Sequence, residues 1–109
     1  MVKRIVGFNW DEGNLAKCQS HGVTIGEIEA AFRSPMRIFP DEVHSGAETR
    51  YLGIGRVTSD RCALVAFTYR EIEGQRLIRP ISARFMHAKE VRHYEAQIPA
   101  PKKTPSSAE

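Results

Sequence analysis

Three apolar, β-rich runs separated by very short turns occupy the middle of the chain: Arg50–Val57, Ala63–Glu71 and Arg76–Ser82. Thr58-Ser59-Asp60 lies between the first two, and Glu73-Gly74 marks the second connection. Such connections join strands running in opposite directions, because a parallel crossover needs about a dozen residues or more. The centre of the fold is therefore an antiparallel meander, and the remaining elements must pack on it.

The flanking segments read as mostly helical. Ile5 to Trp10 alternates loosely and predicts an opening strand, with Asn9 or Asp11 capping the next element. Asp11 to Ser20 predicts a short helix with acidic residues in its first turn, and Gly22 is its expected left-handed stop. Thr24-x-x-Glu27 is a capping box opening a second helix, with Ile25, Ile28 and Phe32 on one face and Ser34-Pro35 at its end. Met36 to Pro40 is extended, and the polar segment DEVHSGAE, Asp41 to Glu48, reads as a loop. Met86 to Gln97 predicts a third helix, closed by Pro99, and the tail PAPKKTPSSAE is disordered by composition. The expected organisation is one domain over residues 1–98 and a disordered tail over 99–109. The expected fold class is α+β: an antiparallel sheet with two N-terminal helices and one C-terminal helix, the helices on one face and the other face open.

Alternation in the central strand indicates which face is which. Ala63, Val65, Phe67 and Tyr69 form the aromatic-bearing set and belong to the core, so Thr68 and Arg70 share the open face. Arg50, Leu52, Ile54 and Arg56 likewise share one face of their strand. Pro80 inside its strand requires an edge position, a bulge or a shorter strand. Gly53-x-Gly55 is too short for a phosphate loop and reads as a packing or bulge feature.

Composition excludes several classes of function. With 109 residues, 41% hydrophobic and 27% charged, the chain is an ordinary globular domain. No apolar run approaches the roughly 18 residues of a membrane span. The opening MVKRIVGFNWDEG does not read as a signal peptide, so the expected location is the cytoplasm. Cys18 and Cys62 fit no metal-ligand spacing and read as small apolar packing groups, so neither metal nor cofactor is expected.

Charge is unevenly placed. Residues 1–60 carry seven Lys/Arg against eight Asp/Glu, whereas residues 61–92 carry seven against three. That basic third is a plausible polyanion footprint. It contains RLIRPISARFMHAKEVRHYE, Arg76 to Glu95, a strand studded with arginines that runs into a basic helix. A guanidinium beside a strand either finds a carboxylate or lines a surface that holds anions. Arg70, Arg79 and Arg84, with Thr68, are candidates to converge at one end of the sheet and hold a phosphate. The alternative pairs them with Glu48, Glu71, Glu73 or Glu90 as surface ion pairs. His21 reads either as a helix cap or as a general acid or base, and His44, His87 and His93 as solvent-facing.

The ordered pattern resembles the BrnT family, the toxin component of a bacterial type II toxin–antitoxin system, related in fold to the RelE-like ribonucleases. The resemblance rests on Phe8-x-Trp10-Asp11, His21-Gly22-Val23, Asp41-x-x-His44-Ser45-x-x-Glu48-x-Arg50, Ile54-Gly55, Phe67-Thr68-x-Arg70 and Arg79-x-Ile81-Ser82-Ala83-Arg84. It implies a RelE-like fold and a metal-independent endoribonuclease that inhibits translation, cleaving RNA through a 2′,3′-cyclic phosphate. It further implies a BrnA-like ribbon-helix-helix antitoxin, with operator DNA bound only through that partner. The catalytic positions it implies are His21, Thr68, Arg70, Arg79 and Arg84. Arg50 and Arg56 are implied phosphate contacts and Tyr94 a further substrate contact. The chain departs from the family at Ser20, where lysine is usual, and at Pro80, where isoleucine is usual. Those departures keep open a weakened member that binds the antitoxin and regulates the operon. A non-catalytic nucleic-acid-binding module is the remaining alternative.

Overall fold

A computed structural model describes residues 4–58 and 61–97 of the chain, with the backbone alone described over 94–97. The element order is β1 (Ile5–Phe8), α1 (Leu15–Gln19), α2 (Ile25–Arg33), β2 (Arg37–Pro40), β3 (Tyr51–Thr58), β4 (Arg61–Ile72), β5 (Gln75–Met86) and α3 (Ala88–Gln97). The architecture is α+β, as the sequence predicts. The five strands form one sheet in the order β1-β5-β4-β3-β2. The β3–β4–β5 meander is antiparallel and β2 adds to β3 antiparallel, whereas β1 joins β5 in parallel and makes the sheet mixed. The helical connection from β1 into the rest of the chain frees it from the short-turn constraint that fixes the meander.

The core follows the predicted alternation. Ala63, Val65 and Phe67 are fully buried against Cys18 of α1 and Ile28 of α2, with Val23 between the helices. Phe32 meets Phe67 edge-on at 4.9 Å and Phe8 at 5.6 Å, which locks α2 over the sheet. The Thr24–Glu27 capping box is formed in both directions, and Gly22 at φ +90° provides the left-handed stop before it. Any side chain at Gly55 would strike the Ala31 carbonyl, so that position is a close helix–strand approach.

The opposite face is not left wholly free. Ile54, Cys62 and Met86 form a second buried cluster there, with Leu64, Phe39 and Val91 packed against it, so α3 covers one end of that face. This corrects the expectation of helices on one face alone. Met86 also belongs to β5, paired with Cys62, so the last strand runs four residues beyond Ser82 and α3 begins later than predicted. The first helix is shorter than predicted as well. Asn14, not Asn9 or Asp11, occupies its N-cap position, and no acidic residue lies in its first turn. The C-terminal tail and the Ser59-Asp60 turn lie outside the described residues.

Pro80 sits at a bulge. The register between β4 and β5 shifts between Ala66 and Phe67, with Ser82 and Pro80 as successive partners and Ile81 as the extra residue. That is where a strand can hold a residue with no N–H. The β4–β5 turn places Glu73 at φ 52° and Gly74 at φ 79°, the mirror-image geometry that suits the twist of a tight hairpin.

Candidate active site

The end of the second face that α3 leaves uncovered is where four of the eight predicted residues gather: Arg50, Thr68, Arg70 and Arg79. Thr68 pairs with Arg79 across the ladder, so the two side chains share a face, with Arg70 two residues further along β4. Arg50 directly precedes β3, whose Tyr51 pairs with Phe67, and so it falls beside Thr68. A cavity of about 200 Å³ opens between them, several times the ~30 Å³ share of one water. Its cationic lining residues are Lys17, Arg50, Arg70 and Arg79, and its acidic one is Glu48.

Two loops hold this wall in place. The polar segment predicted to be a loop is closed on itself by bonds at both ends. Asp41 N–H donates to the Arg50 carbonyl at 2.8 Å, Arg50 N–H to Ser45 Oγ at 2.9 Å, and Ser45 Oγ to the Asp41 carbonyl at 2.8 Å. The Thr68 hydroxyl, in a residue only 3% exposed, donates to the Thr49 carbonyl at 2.8 Å and fastens the loop to β4. Thr68 therefore positions Arg50 and Glu48 by tying down the backbone between them.

The second loop leads from β1 into α1. Past Phe8 the edge of β5 has no strand beside it, and Asn14 takes over that role. Its buried amide donates to the Pro80 carbonyl at 2.8 Å and the Asn9 carbonyl at 3.0 Å, while its oxygen accepts from Asp11 N–H at 2.8 Å. Sequence reasoning placed Asn14 inside a helix and missed it. Its function depends on a carbonyl 66 residues away, which no local pattern reveals.

Arg79 is tied to the same loop. Its two terminal nitrogens grip the Asp11 carboxylate at 3.0 and 3.1 Å, and the first also donates to Asn9 Oδ1 at 2.8 Å. This hydrogen-bonded fork, with Gly13 N–H donating to the same carboxylate, holds the Asp11 pKa below its ordinary value. Arg70 pairs with Glu48, Nε to Oε2 at 2.9 Å. Arg70 and Arg79 are thus each paired with a carboxylate and also line the cavity, whereas Arg84 does not line it. No described carboxylate pairs with Arg50 or Lys17, so the positive charge of the wall exceeds the negative.

The other predicted positions lie elsewhere. Arg84 shares the face but pairs with Leu64, four residues along β4 from Thr68, or about 13 Å at strand rise. Its guanidinium forks onto Glu90 of α3 at 2.8 and 3.0 Å, and those hydrogen bonds depress the Glu90 pKa to about 2. Arg56 pairs with Cys62, further along the same direction, at the end covered by α3. His21 is exposed, one turn beyond Lys17, and does not line the cavity. Tyr94 falls in α3, and its side chain lies outside the described residues. Ser20 donates its hydroxyl to the Lys17 carbonyl at 2.8 Å and closes α1. Lys17 lines the cavity from the helix instead, a position that sequence reading left unassigned.

Neither cysteine belongs to the site. Burial pushes the Cys18 thiol up to about 11, and both cysteines pack in the two cores. Among the described residues there is no cluster of three metal-ligating side chains and no helix long and apolar enough to cross a membrane.

The family model for the ribonuclease toxin BrnT of type II toxin–antitoxin systems matches residues 10–90. The chain belongs to the BrnT family. The match runs from Trp10 through the loop, the meander and the start of α3, and so includes every residue that lines the cavity. Among curated proteins none matches the chain. The match to BrnT spans both the polar loop motif and the arginines of β4 and β5. The first supplies Glu48 and Arg50 to a wall whose other side is Arg70 and Arg79.

Proposed function

We propose that this ribonuclease toxin cleaves RNA at the cavity between β3, β4 and β5, without a metal, leaving a 2′,3′-cyclic phosphate. The observation that carries the reading is the convergence of Lys17, Arg50, Arg70 and Arg79 on one cavity. A pentavalent phosphorane carries more negative charge than the ground-state phosphodiester. Fixed guanidinium and ammonium donors stabilise that charge selectively, which is the role a metal ion plays elsewhere. Arginine holds its proton too tightly to act as a base, so Arg50, Arg70 and Arg79 are electrostatic groups. Arg84 and Arg56 extend the basic face along the sheet and contact flanking phosphates, as does Tyr94 from α3. His21, one turn beyond Lys17, is an imidazole that can carry a proton, and it donates that proton to the departing 5′-oxygen.

The partner that restrains this activity is a BrnA-like ribbon-helix-helix antitoxin, and operator DNA is reached only through that complex. The setting is the cytoplasm, where RNA and antitoxin meet.

Induction of the chain in cells lacking the antitoxin tests the reading. Growth arrest with RNA breakdown is expected, both abolished by Arg79→Ala, and RNA breakdown by the purified chain is expected to be insensitive to a metal chelator. A second reading is favoured by one observation: Arg70 and Arg79 are already paired with carboxylates in the free protein. Neither arrest nor RNA breakdown, with antitoxin binding intact, supports that reading of a weakened, operon-regulating member. RNA binding with steep salt dependence and no cleavage supports the non-catalytic module.

A further inference from the structure

A carboxylate in a wall that collects phosphates opposes binding, so its presence calls for a reason. Glu48 is the carboxylate that lines the cavity. Its backbone is fixed on both sides: Gly46 N–H donates to the Glu48 carbonyl at 3.2 Å, and Thr68 holds the adjacent Thr49 carbonyl. Its side chain is aimed by Arg70, at 2.9 Å to Oε2 and 3.3 Å to Oε1, yet half of it is exposed. A carboxylate has about four lone-pair sites, and Arg70 occupies two of them, so both oxygens retain acceptor capacity toward the cavity.

The other lining groups cannot take a proton. Lys17, Arg50, Arg70 and Arg79 are cations with no acceptor, and the Asn14 oxygen is an amide already bonded to Asp11 N–H. Asp11 lies outside the lining, and its carboxylate is more fully engaged, by two bonds from Arg79 and a third from Gly13 N–H. Thr68 spends its hydroxyl proton on Thr49 and is no base.

We infer that Glu48 is the general base of RNA cleavage, oriented by Arg70. The inference rests on the cleavage reading above and adds the group that activates the nucleophile. Glu48 removes the proton from a ribose 2′-hydroxyl as its oxygen bonds to the adjacent phosphorus. The bond from phosphorus to the 5′-oxygen breaks, and that oxygen takes its proton from His21. The products are a 2′,3′-cyclic phosphate and a 5′-hydroxyl, with one proton gained by Glu48 and one lost by His21, both restored from solvent.

The test is single-turnover cleavage of a synthetic single-stranded RNA by the purified chain across pH 5 to 9, for wild type, Glu48→Gln and Arg50→Ala. Binding is measured with the same RNA carrying a 2′-deoxy nucleotide at the cleaved position. Glu48→Gln keeps size and an acceptor for Arg70 but cannot take the proton. It is expected to slow cleavage by about 10²–10⁴-fold at every pH, and to bind the uncleavable RNA at least as tightly as wild type. Cleavage by Glu48→Gln at the wild-type rate, or a loss confined to RNA affinity, overturns the role of Glu48 while leaving the cleavage reading intact if Arg50→Ala is impaired. Intact RNA with wild-type protein overturns both. Should Glu48→Gln fail to fold by far-ultraviolet circular dichroism, Glu48→Asp carries the test. Its retracted carboxylate is expected to cleave more slowly with RNA affinity kept, and wild-type speed from it overturns the assignment.

Discussion

At the scale of single residues the candidate site depends on two side chains that hold loops as much as on the cations that line its cavity. Asn14 is 2% exposed and makes three hydrogen bonds that join the β1–α1 loop to the bulge in β5. Replacing it with alanine strands two buried carbonyls, and the expected cost is about 1–3 kcal/mol, measured as a lowered urea midpoint. Asn14→Asp should cost more, because it turns a donor toward two carbonyls into an anion facing them. Arg79 differs in kind. It is only 16% exposed, but its partner Asp11 is 55% exposed, so losing the pair removes little stability. Arg79→Ala is expected to cut RNA cleavage by about 10²–10³-fold with a native circular dichroism spectrum. Arg79→Lys should recover little of it, since one ammonium cannot hold Asn9 Oδ1 and both Asp11 oxygens in a planar fork.

At the scale of elements the meander was legible because its short turns leave one pairing, and its faces were legible because Ala63 to Arg70 alternates. The Thr24–Glu27 helix start was legible for the same reason: its partners are three residues apart. What escaped depends on distant partners. Ala83 to Met86 is extended because Cys62 to Val65 pairs with it, whereas local propensity alone ended the strand at Ser82 and gave Met86 to the following helix. The internal order of the Asp41–Arg50 loop was hidden too, although its residues were visible as a motif. Its fastening to β4 makes a prediction. Thr68→Val keeps shape but frees the Thr49 carbonyl, so Glu48 and Arg50 lose their fixed positions while all four cavity cations remain. Cleavage is expected to fall by up to about 10²-fold, with Thr68→Ser restoring most of it, as read from single-turnover rates. Equal losses in the serine and valine variants would assign the effect to packing.

For the molecule as a whole, charge governs both its stability and its RNA affinity. Arg84 holds Glu90, and Arg79 holds Asp11, below their ordinary values, so each carboxylate stabilises the fold while it is ionised. The Glu90 contribution is fully present above its ordinary 4.5 and is lost as the pH falls through that value toward about 2. Wild-type stability should therefore drop faster than that of Glu90→Gln across this window, and the two should run in parallel above it, by urea titration at each pH. The same arginines set the salt response. Four cations face one cavity, and each phosphate they neutralise releases a condensed counterion, giving a slope of about −0.7 in log affinity against log salt per contact on a single strand. Arg50 carries no carboxylate among the described residues, whereas Arg70 is paired with Glu48. Arg50→Ala should thus shallow the slope for an uncleavable RNA by about 0.7, and Arg70→Ala by less, because removing it also frees the charge of Glu48 to repel the strand. Equal slopes for wild type and Arg50→Ala would place the bound phosphate outside this cavity.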